Sequence, residues 1–261
     1  MATEKSEMLS KVPAITLGFW IIKILATTLG ETGGDAVTMS WLGETTAAAK
    51  GSGYLVGTAI FGIIFVAAVL VQIKAKKFHP FLYWTTIVAT TTVGTTMADY
   101  VDRSLGVGYP GGTSILFTLL MASLFVWYRT LGTVAMDSVS STKSEAFYWV
   151  TIMFSQTLGT ALGDWTADTA GLGYTGGALI FSAMLAIVAA MYFWTKISHT
   201  VLFWAAFILT RPLGAVVGDF LDKPHAKGGL ELSRYTASAS LLVLIVVLIL
   251  VLPHKAAEKQ H

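Results

Sequence analysis

The sequence predicts an all-α membrane protein of eight transmembrane helices, arranged as four tandem two-helix repeats with the odd helices inside and the even helices facing lipid. Three observations predict it. Hydrophobic residues make up 54% of the 261-residue chain and charged residues only 12%, with a mean hydropathy of +0.69, more apolar than a soluble chain of this length. Apolar stretches of roughly 20 residues, the length that crosses a ~30 Å hydrocarbon core, fall at about 13–31, 53–73, 80–99, 111–130, 146–165, 175–195, 200–220 and 234–252. One pattern also recurs four times, a Trp, nine residues, a Gly, four residues and an Asp, at Trp20/Gly30/Asp35, Trp84/Gly94/Asp99, Trp149/Gly159/Asp164 and Trp204/Gly214/Asp219. The Trp-to-Trp steps are 64, 65 and 55 residues, longer than one helix and shorter than a typical domain, so each unit reads as one α-hairpin. The repeats then run at about 13–77, 78–142, 143–198 and 199–253.

Each element has a local reason. Pro13 and Pro80 sit where a first helical turn tolerates proline, and Pro253 follows the last apolar run. The even spans, Tyr54 to Ile73, Ile115 to Tyr128, Leu179 to Trp194 and Leu241 to Leu252, are almost wholly aliphatic or aromatic and are expected to face lipid. The odd spans carry a polar stripe in steps of four: Lys23, Thr27, Glu31, Asp35; Ile87, Thr91, Thr95, Asp99; Ile152, Gln156, Thr160, Asp164; Phe207, Arg211, Ala215, Asp219. Beside it runs a stripe of small residues, Gly30 and Gly34, Gly94 and Ala98, Gly159 and Gly163, Gly214 and Gly218. Small residues four apart let helix backbones approach closely in lipid, so the odd helices should pack on one another, as an inner ring of four or as two pairs. Polar groups facing lipid would each cost several kcal/mol, which turns the polar stripes toward a shared interior.

Trp20, Trp84, Trp149 and Trp204 are expected as anchors at the cytoplasmic interface. At ~1.5 Å per residue the repeated Gly then lies near the midplane and the repeated Asp just inside the outer boundary. Lys23, one turn past Trp20, is placed to snorkel back to the interface. Short loops on the side of both termini hold Lys5, Lys11, Lys74, Lys76, Lys77, Arg129, Lys143, Lys196, Lys255 and Lys259, against Lys50, Arg103, Lys223, Lys227 and Arg234 opposite. That bias places both termini in the cytoplasm. Acids run the other way, with Asp35, Glu44, Asp99, Asp102, Asp164, Asp168, Asp219, Asp222 and Glu231 opposite and Glu4, Glu7, Asp137, Glu145 and Glu258 on the cytoplasmic side, giving a negatively charged outer mouth. The apolar run after Lys5 and Lys11 is broken by Lys23 and followed by no small-residue cleavage site, so it reads as the first span rather than a signal peptide, in a bacterial inner membrane.

Acids at the C-terminal ends of outward-running helices oppose the helix dipole. Either they accept hydrogen bonds from the Gly-rich turns at 106–112 and 171–177, or four converging carboxylates are joined by a cation, a proton or an Arg. Glu31 and Arg211 lie too deep to snorkel and occupy adjacent levels of equivalent stripes, so they are expected to pair, as a structural bridge or as a switch released when Glu31 takes a cation or proton. Pro212 is expected to interrupt its helix and free a backbone carbonyl. Thr27, Thr91, Thr95, Thr160 and Gln156 offer further oxygen ligands, although Thr in membrane helices commonly bonds to its own backbone.

The four-fold tandem arrangement, with two spans and a Trp per unit, resembles the bacterial membrane proteins defined by a tandem repeat of unknown function present in four copies. The resemblance runs from about Pro13 to Pro253 and implies fold and topology but no reaction. Repeat 1 departs by its longer loop from Asp35 to Gly53, and repeat 4 by a shorter one and by Arg211-Pro212, so strict four-fold symmetry is not expected.

The expected function is secondary transport of a hard cation, foremost a divalent metal such as manganese exported in exchange for protons, because Asp, Glu, Thr and backbone oxygens suit such ions. A monovalent cation or proton carrier, or a membrane sensor that transports nothing, are the alternatives. An enzyme is not expected, since His79, His199, His225, His254 and His261 fall in loops or tails, and the chain has no Cys for a thiolate metal site. Thr91-Thr92-Val93-Gly94 echoes a potassium-channel filter but lacks the Tyr-Gly step and leaves no room for a pore helix. No resident cofactor and no nucleic acid are expected; membrane lipid and a small inorganic cation are the expected partners, and a homo-oligomer is left open.

Overall fold

A computed structural model describes residues 10–45 and 52–257. Glu4, Lys5, Glu7, Lys50, Glu258 and Lys259 of the charge comparison lie outside the described residues. The described chain forms eight α-helices, α1 (Leu17–Asp35), α2 (Ser52–Lys74), α3 (Pro80–Asp99), α4 (Tyr109–Leu131), α5 (Thr142–Asp164), α6 (Gly173–Trp194), α7 (His199–Asp222) and α8 (Arg234–Val251). Among the described residues there is no strand, only an isolated bridge between Pro13 and Ala256. Five helices, α2, α4, α6, α7 and α8, are long and apolar enough to cross a membrane, in keeping with a multi-pass membrane protein; α1, α3 and α5 have the length, but their Thr, Gly and ionisable residues dilute the apolar run.

The odd helices form a closed inner ring, in which α1 packs on α3, α3 on α5, α5 on α7 and α7 on α1. Each even helix lies outside, against the inner helix of the following repeat: α2 on α3, α4 on α5, α6 on α7, and α8 back on α1 to complete the circle. Burial follows this division, since 11–17% of the apolar windows of α2, α4, α6 and α8 is buried against 67% for α7.

Glycine makes the ring possible. Gly30 faces Thr91, Gly94 faces the backbone of Gln156 and Thr157, Gly159 faces the Arg211 side chain and Gly214 faces Thr27, and a Cβ added at any of the four would meet its neighbour at 3.0 Å or less. The contact is cyclic: the Gly of each repeat receives the stripe residue of the next helix. One turn on, Gly34 meets Thr95, Gly163 meets Ala215 and Gly218 meets Glu31 in the same sense. With no apolar drive to associate in lipid, such close backbone contact supplies the dispersion that holds helices together.

Several local features differ from the sequence expectation. Pro13 lies outside α1, which starts at Leu17 capped by the Thr16 side chain; instead Ser10 to Ala14 cross the end of the bundle, with Lys11 N–H donating to Val139 O (3.1 Å), Ala14 to Lys255 O (2.9 Å) and Ala257 to Val12 O (2.9 Å). Helices α1, α3 and α5 do not stop at their aspartates but continue as wide π-helical turns, Ala36–Trp41, Tyr100–Ser104 and Trp165–Thr169. Helix α7 runs through Pro212 without a break to Asp222.

The tryptophans correct the anchor reading. Trp84, Trp149 and Trp204 are buried and Trp20 is half-buried; with Phe19, Tyr83, Tyr148 and Phe203 they fill the terminal end of the ring. Phe19 and Trp84 centroids are 5.5 Å apart, Tyr83 and Trp149 5.8 Å, Trp127 and Trp204 5.8 Å, and the Tyr83 and Tyr148 hydroxyls share a 2.6 Å hydrogen bond. The repeated position belongs to an inner helix, so its ring packs inward. Exposed aromatics lie elsewhere, Trp41 and Trp165 at the acidic end, and Tyr128, Tyr192, Phe193 and Trp194 at the terminal end of the even helices.

Candidate cation site

The polar stripes of the four inner helices assemble into four levels, each with one residue per helix. Nearest the aromatic end are Lys23, Ile87, Ile152 and Phe207; next come Thr27, Thr91, Gln156 and Arg211; then Glu31, Thr95, Thr160 and Ala215; last Asp35, Asp99, Asp164 and Asp219. All sixteen are buried. The register is a consequence of the cyclic Gly contacts, which hold equivalent turns of neighbouring helices at one height.

Between the second and third levels Arg211 reaches Glu31, with Arg211 Nη2 3.0 Å from Glu31 Oε2. The same Nη2 donates to Thr95 Oγ1 at 2.6 Å and to Thr160 Oγ1, while both hydroxyls also lie within hydrogen-bond reach of Glu31 Oε2, at 3.3 and 3.4 Å. One carboxylate oxygen of α1 therefore collects contacts from the other three inner helices. Thr27 instead bonds across the α1–α7 contact to Thr210 O (3.2 Å) and back to Ile24 O (2.8 Å), and the neighbouring Thr28, Thr92 and Thr157 bond back to their own helices. Thr91 and both ends of the Gln156 amide make no hydrogen bond with the described residues.

At the fourth level the aspartates meet three cations. Arg103, in the π turn after α3, spans Asp99 (2.9 Å) and Asp164 (3.0 Å). Lys223, just past α7, contacts Asp35 and reaches Asp219 at 3.0 Å and Asp222 at 3.9 Å. Arg234 at the start of α8 adds 2.8 Å to Asp222 and 4.0 Å to Asp35. Carboxylate oxygens of Glu31, Asp164 and Asp219 lie within 4.8 Å of one another, and so do those of Asp35, Asp219 and Asp222. Asp102, beyond the end of α3, has its carboxylate against Gly112; burial pushes it up to about 7, the Asp164 charge adding to the rise and Arg103 opposing it.

Lys23 does not snorkel. It is fully buried, its Nζ 4.1 Å from the centroid of the Phe207 ring and without a hydrogen-bond partner among the described residues. The apolar counterparts Ile87, Ile152 and Phe207 mark its level as packed interior, which prevails over the snorkelling expectation.

A family model described as Repeat of Unknown Function (DUF347) matches the chain at residues 18–78, 82–137, 147–198 and 202–254. The chain belongs to that family. No curated protein and no solved structure matches it. In this Repeat of Unknown Function chain the fold gathers Glu31, Asp35, Asp99, Asp164, Asp219, Thr95, Thr160 and Arg211 into one connected polar interior, while Thr27 serves the helix contact and Lys23 stands apart. Sequence reasoning missed Arg103 and Lys223, which it left among loop charges. Each lies 19 residues after its repeat Trp, four after its repeat Asp and directly after another Asp, in repeats 2 and 4, where repeats 1 and 3 carry Met39 and Asp168. The acidic end therefore has two-fold rather than four-fold character.

Chemically this is an oxygen-rich, acid-heavy enclosure in which the pairing cations are side chains on the protein itself. A hard cation would have to compete with them for the same oxygens.

Proposed function

We propose that the protein is a secondary transporter of a hard cation in the bacterial inner membrane, with eight membrane-spanning helices, both termini in the cytoplasm and the acidic end outside. The observation that carries the reading is the buried carboxylate set of Glu31, Asp164 and Asp219, with ligand oxygens mutually within 4.8 Å and with Thr95 and Thr160 hydroxyls beside it. All-oxygen donors of this kind fit a divalent ion such as manganese or magnesium, and manganese-like export in exchange for protons is the specific form we favour. A monovalent cation or proton carrier is the second reading, favoured by Glu31 sharing its charge with Arg211.

In this arrangement both ends are closed. Aromatic packing and the segment from Ser10 to Ala14 shut the terminal end, and Arg103 and Lys223 shut the acidic end. An ion arriving at Glu31 displaces Arg211, and its passage past the aspartates displaces Arg103 or Lys223. Exchange is enforced because a carboxylate left without a cation in this interior costs several kcal/mol: either a side chain or an ion must occupy it.

The test is ligand-dependent stability of the purified protein against a panel of manganese, magnesium, calcium, sodium and potassium. The reading expects saturable stabilisation by one or a few of these ions, weakened in Asp164→Asn. No stabilisation of wild type by any of them, at any pH between 6 and 8, would leave the interior as a structural network and point to the sensor.

A further inference from the structure

The half of the interior nearer the termini has the opposite character to the acidic end. Lys23 is fully buried with no hydrogen bond and no carboxylate contact, only the face of Phe207. Arg211, one level further in on the adjacent helix, engages Glu31, Thr95 and Thr160 through Nη2 alone, leaving Nε and Nη1 buried and unpartnered. The Gln156 amide and the Thr91 hydroxyl of the same level are buried and unpartnered too. The ring face attracts the ammonium but accepts no hydrogen bond in the way an oxygen does. Buried donors are ordinarily satisfied, and an unpaired buried charge is the costliest exception. The unanswered donors of Lys23 and Arg211 stand on packed neighbouring helices, and a negative ligand between them relieves both.

A cavity of about 240 Å³ opens at the terminal end, lined by Phe19, Trp84, His254 and Lys255 among others. Phe19 is one turn before Lys23 on α1, so the cavity stops short of Lys23, and the Trp84 indole N–H is itself buried and unpartnered.

We propose that the interior between Lys23 and Arg211 is a binding site for a small monovalent anion, held by the Lys23 ammonium, the free Arg211 N–H groups, the Gln156 amide and the Thr91 hydroxyl. It is distinct from the carboxylate set, uses none of those oxygens, and stands whether or not a cation is transported. An anion at this level also offsets the charge of Arg211 when that side chain leaves Glu31, so a cation and an anion occupy the interior together.

Bromide is the probe. Thermal unfolding of the purified full-length protein is followed against sodium bromide at constant ionic strength, with sodium gluconate as the balancing salt, in wild type, Lys23→Ile and Lys143→Gln, the last an exposed cation at the same end. The expected result is saturable stabilisation by bromide, unchanged in Lys143→Gln and weakened at least about tenfold in apparent affinity in Lys23→Ile. Equal responses in wild type and Lys23→Ile, or no saturable response in wild type, overturn the proposal in favour of water or a neutral lysine. Should Lys23→Ile fail to fold, anomalous scattering from bromide-soaked wild-type crystals decides: a peak between Lys23 and Arg211 supports the site, and a peak only at surface lysines, an adventitious ion only, overturns it.

Discussion

At the terminal end of the inner ring, closure is made by aromatic shape: Phe19, Tyr83, Trp84, Tyr148, Trp149, Phe203 and Trp204 pack edge-to-face or tilted at centroid spacings of 5.0–6.4 Å around one hydroxyl pair. At the acidic end the same helices are closed by ion pairs, four aspartates held by Arg103 and Lys223. The same repeat thus ends in two kinds of gate. A dissolved cation cannot compete for aromatic packing but would compete for carboxylate oxygens, so under the transport proposal the acidic end would be the one an ion opens and the terminal end would need a helix movement.

Four substitutions or titrations sharpen that contrast. The largest effect is expected for Arg211→Gln, which strands Glu31 as an unpaired buried carboxylate and should lower stability by about 3–5 kcal/mol, recovered in large part by Glu31→Gln in the same chain; thermal unfolding in detergent measures both. Next, Lys223→Gln should cost more than Arg103→Gln, about 2–4 against about 1–2 kcal/mol, because the Lys223 side chain is 9% exposed and that of Arg103 31%, so water replaces the latter more easily. Equal costs would break the argument that the two latches differ in burial. Tyr83→Phe alone should cost about 1–3 kcal/mol by orphaning the Tyr148 hydroxyl, whereas Tyr83→Phe with Tyr148→Phe should be nearly neutral, since shape rather than polarity closes that end. The smallest effect concerns Asp102. Its folded value of about 7 lies above its ordinary 3.8, so the native state holds a proton that the unfolded chain releases, and stability falls as pH rises through this window. Melting temperatures between pH 5 and 8.5 should decline by a few degrees less in Asp102→Asn than in wild type.

The ring was legible in the sequence because two signals with the same period coincided. Residues such as Gly30 and Gly214 specify where a backbone approaches, and Glu31 or Arg211 beside them specify which face cannot meet lipid. Together they predicted the Glu31–Arg211 pair. The two latches were legible only in part: each stands four residues after its repeat Asp, the spacing of a helical ion pair, but the reach of Arg103 to Asp164 and of Lys223 to Asp35 is a tertiary contact between repeats that local spacing does not announce. The crossing of Ser10 to Ala14 over residues 255–257 rests on backbone hydrogen bonds that any side chain permits, so no residue type announces it. Lys23 was misread for a different reason. Its own chemistry allows snorkelling, and only its counterparts Ile87, Ile152 and Phe207 reveal the depth of its level.

The claim that the acidic interior is an ion path is tested most directly by flux into proteoliposomes loaded with metal-sensitive and pH-sensitive dyes, comparing wild type with Asp99→Asn, Asp164→Asn and Glu31→Gln. Selective cation flux accompanied by opposite proton movement, abolished in all three folded variants, is the expected result. Well-folded wild type that moves neither cation nor proton, or flux unaltered by the three substitutions, would contradict it.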